Sequence, residues 1–170
     1  MNLVLHKITL HYPYRRNAIW PNTNYLQGII MPDNTNAFAY QAAPAQLAND
    51  FFATKLACET DCSDVYADIK ANNKNYVLLD VRSKEAFDKS HAITAVSMPH
   101  SEITTESFSG YDKDTLFVVY CWGPGCNGAT KAGAKISALG FAVKEMIGGI
   151  HYWEDFERYP VNRRVTEVQK

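Results

Sequence analysis

The sequence predicts an α/β protein built on a mostly parallel sheet, and three observations carry that prediction. Two short runs, Tyr76–Val81 and Leu116–Tyr120, are rich in aliphatic, β-branched and aromatic residues, as strands buried on both faces are. Segments with apolar residues at helical spacing alternate with such runs, which is the order of a parallel sheet with helical crossovers. The second run opens directly into a glycine-rich loop, Cys121-Trp122-Gly123-Pro124-Gly125-Cys126-Asn127-Gly128, before the next helix. Ligands of open α/β sheets bind at such strand ends.

The elements follow in order. Residues 1–42 contain Pro13, Pro21, Pro32 and several asparagines without a sustained period, and are expected to form a poorly ordered extension ahead of a domain at 43–170. Leu3–Thr9 is at best a short edge strand, and the change in character at Met31 is read as an alternative expected start, with residues 1–30 an upstream extension. A helix is expected from about Pro44, with Leu47, Phe51, Phe52 and Leu56 facing inward, ending around Cys58–Asp61. Ser63 is the expected N-cap of a second helix that buries Val65 and Ile69. The strand Tyr76–Val81 leads to a short helix capped by Ser83, and Ala95–Met98 is a small strand stopped by Pro99. Beyond the cysteine loop, Ala129, Ala132, Ile136 and Leu139 mark a helix, with Asn127 as N-cap and Gly140 as its stop. Val143–Ile147 is the next strand, and Gly148-Gly149 opens a last helix holding Tyr152, Trp153 and Phe156. No internal repeat is present.

Composition narrows the class. With 170 residues, 46% hydrophobic and 21% charged, the chain fits one globular domain. A net charge of -1 supplies no basis for binding nucleic acid or an anionic membrane. No apolar run approaches the ~18 residues of a membrane span. The apolar stretch at Met1–Lys7 breaks too early for a signal peptide, so a cytoplasmic location and reduced thiols are expected.

The chemistry centres on Cys121. At the start of a helix, N–H groups and the macrodipole favour an anion. Gly123 and Gly125 are expected to curl the loop into an anion-binding nest. A cysteine so placed should have its pKa lowered from ~8.5 into the range ~3.5–7.5 and act as a thiolate nucleophile. The competing reading is a buried structural cysteine. Four-thiolate zinc binding by Cys58, Cys62, Cys121 and Cys126 is disfavoured, because neither pair has the usual Cys-x2-Cys spacing. A cysteine phosphatase would need Arg at position 127, where Asn127 stands. His91 is expected to be structural, Asp80 and Arg82 to form a structural ion pair or cap, and His100 to lie on the surface or at the pocket. Trp122 should either cover the pocket or enter the core.

Taken together, these landmarks resemble a single rhodanese (sulfurtransferase) domain, with a family core at about 63–165. Asp80-Val81-Arg82-Ser83 with Glu85 and Phe87 resembles that family's first strand-to-helix turn. His91-Ala92-Ile93 with Ala95-Val96 and Pro99 resembles its His-Ile-x-Gly-Ala segment, with Thr94 where glycine is usual. Tyr120-Cys121 is similar to the strand end bearing the active cysteine. Leu139-Gly140-Phe141, Gly148-Gly149-Ile150 with Trp153, and Tyr159-Pro160-Val161 match the closing segments. The resemblance implies a three-layer α/β/α fold with about five central strands. It also implies sulfane-sulfur transfer from a small-molecule donor to a thiophilic acceptor, or to a partner protein thiol, through a Cys121 persulfide. Trp122, Gly123, Pro124, Gly125, Cys126 and Asn127 would form the substrate cradle, with no cofactor and no metal. Many members carry an arginine in this loop; Cys126 stands in its place. Without a guanidinium, thiosulfate loses a charge-assisted partner worth ~1.5–3 kcal/mol. Cys126 then either resolves the persulfide as a disulfide or merely packs against the helix start. The alternative to an enzyme is a binding or redox-sensor module using the same two cysteines.

Overall fold

The computed structural model describes residues 42–73 and 75–164. All but the last residue of the expected N-terminal extension, and the alternative start at Met31, lie outside that range. Residues 45–164, as far as described, belong to one compact unit. Its elements are α1 (Ala45–Cys58), β1 (Glu59–Asp61), α2 (Cys62–Lys70), β2 (Tyr76–Asp80), α3 (Lys84–Lys89), β3 (His91–Ala92), β4 (Val96–Ser97), β5 (Leu116–Tyr120), α4 (Gly128–Ala138), β6 (Ala142–Ile147), α5 (His151–Phe156) and β7 (Val161–Asn162). Five strands form a parallel sheet in the order β1-β6-β5-β2-β4, and β3 pairs antiparallel with β7 beside it. This is the three-layer α/β/α arrangement the sequence predicts.

Strand alternation sorts the core onto two faces. Leu79, Val81, Phe117, Val119 and Cys121 pack with Ala129, Ala132 and Ile136 of α4 and with Phe108 and Phe141. Leu78, Val118 and Tyr120 pack on the other face with Cys62, Val65, Met146, Ile150 and Trp153. The register Asp80↔Tyr120 sets β2 and β5 ending side by side, so the residues that follow both strands meet at one end of the sheet. Among the described residues no helix is long and apolar enough to cross a membrane.

Several local expectations are corrected. Helix α1 forms, but Leu47, Phe51, Phe52 and Leu56 are exposed rather than inward. The helix runs without a loop into β1, the outermost strand of the sheet, so among the described residues no second layer covers that face. Asp61, not Ser63, caps α2: its carboxylate accepts the Asp64 N–H at 2.8 Å. Residues Glu59–Asp61, expected as a helix end, are a strand, because their amides find the exposed edge of β6. Asn127 makes no side-chain cap to α4. Of the last helix only Trp153 is buried; Tyr152 and Phe156 are exposed, and the turn from His151 to Phe156 is π-helical. Thr94 takes φ +68. That is a left-handed conformation costly for a β-branched residue, and it explains why glycine suits this position in the sequence pattern.

Candidate active site

Cys121 follows β5 and stays on the α4 face of the sheet by strand alternation, 5% exposed. The chain then turns through Gly123, whose carbonyl accepts the Cys126 N–H at 2.9 Å. This turn returns Cys126 over the strand end and sets its Sγ 2.7 Å from the Cys121 Sγ. The loop is tied down from outside as well. Helix N-termini leave N–H groups without intrahelical partners. Here the Ile150 and His151 N–H groups, leading into α5, donate to the Cys121 and Trp122 carbonyls, both at 3.0 Å.

Glycines make these approaches sterically possible. A Cβ on Gly149, at φ +59, would lie 2.5 Å from the Cys121 carbonyl oxygen, and one on Gly128 would lie 2.6 Å from the Cys121 sulfur. Neither glycine was among the expected cradle residues. Gly148-Gly149 is visible in the sequence as a landmark, but only the fold reveals which backbone it must admit. Gly123 and Gly125 do not adopt the positive φ expected of a nest; those angles occur at Gly140, Gly148 and Gly149. Gly123 serves instead as a close-approach point, since a Cβ there would lie 3.1 Å from the Gly148 carbonyl.

Electrostatics reverse the expected assignment of charge. Burial, then the contact with Cys126, pushes the Cys121 thiol up to about 12, against the opposing Trp122 N–H. Burial also raises Cys126, but the hydrogen bond from Cys121, the Gly128 and Trp122 N–H groups and Lys131 outweigh it and hold that thiol below its usual value. The expected depressed pKa at Cys121 is therefore corrected. The Gly128 N–H at the start of α4 faces Cys126, while Cys121 is the more deeply buried of the two. The contact couples the two thiols, so Cys126 gives up its proton more readily than Cys121 does.

Two clefts converge on the pair. One, of about 550 Å³, is lined by Cys121, Gly123, Pro124, Gly125, Cys126 and Asn127 on one side and Glu145 to Gly149 on the other. The second, of about 410 Å³, brings Arg82, Ser83 and His100 to Trp122, Cys126 and Asn127. All six expected cradle residues thus line one cleft or the other, and of the two places open to His100 it takes the pocket wall. Of its two expected places Trp122 takes the pocket, on the wall of the second cleft, and not the core. It is 44% exposed, with its ring 4.5 Å from the Arg82 guanidinium carbon.

Arg82 belongs to the scaffold. Its Nε and Nη2 donate to both oxygens of the fully buried Asp80, at 2.9 and 2.6 Å, and Nη2 also donates to the Ser90 carbonyl. Burial opposes its charge, but Asp80 outweighs burial and holds the guanidinium above its usual value. His91 is structural as expected, its Nδ1 2.7 Å from the Phe87 carbonyl and its ring stacked on Phe87. Cys58 is exposed, whereas Cys62 is buried beneath Gly148-Gly149. Among the described residues no three His, Cys, Asp or Glu side chains gather as a metal-holding group.

Residues 63–156, more than half of the chain, match the family model described as Rhodanese-like domain. The BH2092 protein from Bacillus halodurans superposes with a TM-score of 0.68 at 38% identity, covering 75% of this chain and 95% of that one. A thiosulfate sulfurtransferase from Pseudomonas aeruginosa shares the fold, with a TM-score of 0.52 at 18% identity over 67% of this chain and 22% of its own. A probable molybdopterin-synthase adenylyltransferase from Porphyra purpurea is 31% identical over 64 residues, which are 37% of this chain. The chain spans 17% of that curated relative's length.

Proposed function

The chain belongs to the rhodanese-like domain family, and from that premise we propose that it moves sulfane sulfur through a persulfide on Cys121. The observation that carries this reading is the position of the Cys121 sulfur: at a strand end where two clefts meet, faced by the Trp122 N–H and a second thiol 2.7 Å away. The Cys121 sulfur bonds the outer sulfur of the donor, the donor's S–S bond breaks, and the donor departs as a thiol, or as sulfite from thiosulfate. Cys121 starts protonated, and the Cys126 thiolate within reach speeds loading by taking its proton, a step that solvent performs more slowly when serine replaces Cys126. This replaces the expectation that the nucleophile is already ionised.

The donor class follows from charge. The first cleft is lined by no arginine or lysine among the described residues, and in the second Arg82 is committed to Asp80 and Lys84 is paired with Glu102. A dianion such as thiosulfate meets no unopposed guanidinium there, which favours a small-molecule or protein persulfide as donor. The acceptor is a thiol entering by either cleft. The test exposes the reduced chain to glutathione persulfide and, separately, to thiosulfate, and follows intact mass. The reading predicts uptake of one sulfur atom with the persulfide, removable by cyanide and absent from Cys121→Ser. No uptake in any variant that retains Cys121 would contradict it.

The 2.7 Å contact also supports a second reading, a redox sensor in which an oxidant joins Cys121 and Cys126 without sulfur transfer. Loss of two hydrogens with oxidised glutathione, and no uptake of sulfur by Cys126→Ser from persulfide, would favour it.

A further inference from the structure

Resting on the sulfur-transfer reading, we propose that Cys121 and Cys126 act together as a dithiol that releases the bound sulfur as sulfide and closes as a disulfide. The chemistry balances within the pair. In the loaded state Cys121 carries S–SH and Cys126 is a thiol. The Cys126 sulfur bonds the Cys121 Sγ, the bond between Cys121 Sγ and the outer sulfur breaks, and the outer sulfur leaves with both protons as hydrogen sulfide. The sulfane sulfur is reduced by two electrons, and the two cysteine sulfurs are each oxidised by one. An external dithiol then reopens the disulfide by exchange.

Three features of the fold support this step. The Cys126 sulfur is brought to the Cys121 sulfur by a hydrogen-bonded turn whose base is held by Ile150 and His151, so the encounter is built into the backbone. Gly128 leaves the space both sulfurs occupy: a Cβ there would lie 2.6 Å from one and 3.4 Å from the other. Oriented intramolecular partners reach effective molarities on the order of 10⁵ M or more, beyond what a diffusing acceptor thiol achieves. The Gly128 and Trp122 N–H groups hold the Cys126 thiol below its usual value, so as it attacks it yields its proton to the leaving sulfur and reacts as the thiolate that breaks a sulfur–sulfur bond. The domain would thereby consume persulfides and deliver sulfide, with the dithiol reductant as its second substrate.

The experiment is a single turnover. The reduced chain, its Cys126→Ser variant and its Cys121→Ser variant are exposed to glutathione persulfide without added reductant, desalted, and read by intact mass and released sulfide. The expected result is a wild-type chain lighter by two hydrogens with one equivalent of sulfide. Cys126→Ser should be heavier by one sulfur atom and release sulfide only when a dithiol is added. A wild-type chain that keeps its added sulfur and releases none overturns the dithiol step while leaving sulfur transfer standing. A disulfide formed without sulfide also overturns it. No added sulfur on Cys126→Ser overturns the sulfur-transfer reading itself, and this inference with it.

Discussion

At the β1–α2 junction the chain passes from strand to helix with no loop, and the Cys62 sulfur faces two carbonyls, those of Ile147 and Gly149, each at 3.6 Å. At the β5–α4 junction residues 121–127 intervene, and the loop brings a second thiol and the Trp122 N–H to the sulfur that the strand delivers, with the Gly128 N–H at the second thiol. Both Cys62 and Cys121 are buried beside the start of a helix. Burial raises both thiols, and backbone N–H groups oppose it at both. What separates them is the second thiol: Cys62 donates to carbonyls with carboxylates nearby, whereas Cys121 touches Cys126, which N–H groups and Lys131 hold below its usual value. Position at a helix start does not by itself activate a cysteine; a less buried thiol in contact with it does.

The comparison can be broken most severely at Gly149, which touches both junctions. Its carbonyl accepts from Cys62, and a side chain there would overlap the Cys121 carbonyl. Gly149→Ala should cost at least about 1–3 kcal/mol from the left-handed backbone alone, read by urea unfolding, and should slow sulfur uptake as well. Gly128→Ala should separate the junctions instead. Its Cβ meets the Cys121 sulfur, so sulfur uptake should fall roughly a hundredfold while the alkylation rate of Cys62 is unchanged.

Alkylation sharpens the contrast without a substitution at either junction. In the reduced chain iodoacetamide should mark Cys126 first, at a pH below the usual thiol range, and roughly tenfold or more faster than Cys62. The smallest effect concerns stability. Burial, followed by the charges of Asp61 and Glu157, pushes Cys62 from its usual 9.0 up to about 11, so the folded state favours its protonated form. Its contribution is complete below the usual thiol pKa and is lost as pH rises through the interval from 9.0 to about 11. Cys62→Ala should cost about 1 kcal/mol at neutral pH and flatten that alkaline decline, as thermal unfolding between those limits would reveal.

Much of this architecture is legible in the chain. The runs Tyr76–Leu79 and Leu116–Tyr120 read as buried parallel strands because no charged residue interrupts them, and Ser83 announces α3 by its position before an amphipathic turn. The site's location is equally plain, since strand, glycine loop and helix follow one another around Cys121. What could not be read is tertiary. β1 is three residues long and exists only because β6 offers it an edge. The apolar stripe of α1 announces a helix but not whether a layer will lie against it. The charge on Cys121 is not legible because it depends on how deeply the fold buries the sulfur, and the turn at Gly123–Cys126 brings Cys126 rather than Cys121 to the Gly128 N–H. The role of Gly149 depends on a segment 28 residues beyond Cys121, brought there by the carbonyl contacts of Ile150 and His151.

The account rests on sulfur chemistry being confined to the β5–α4 junction, and peptide mapping tests this most directly. Cys126→Ser, reduced and exposed to glutathione persulfide, would be digested and its cysteine peptides separated by mass. The prediction is one added sulfur atom on the peptide bearing Cys121 and none on those bearing Cys62 or Cys58. Added sulfur on the Cys62 peptide, or distributed among all three, would show that burial beside a helix start is enough and would contradict the distinction drawn between the two junctions.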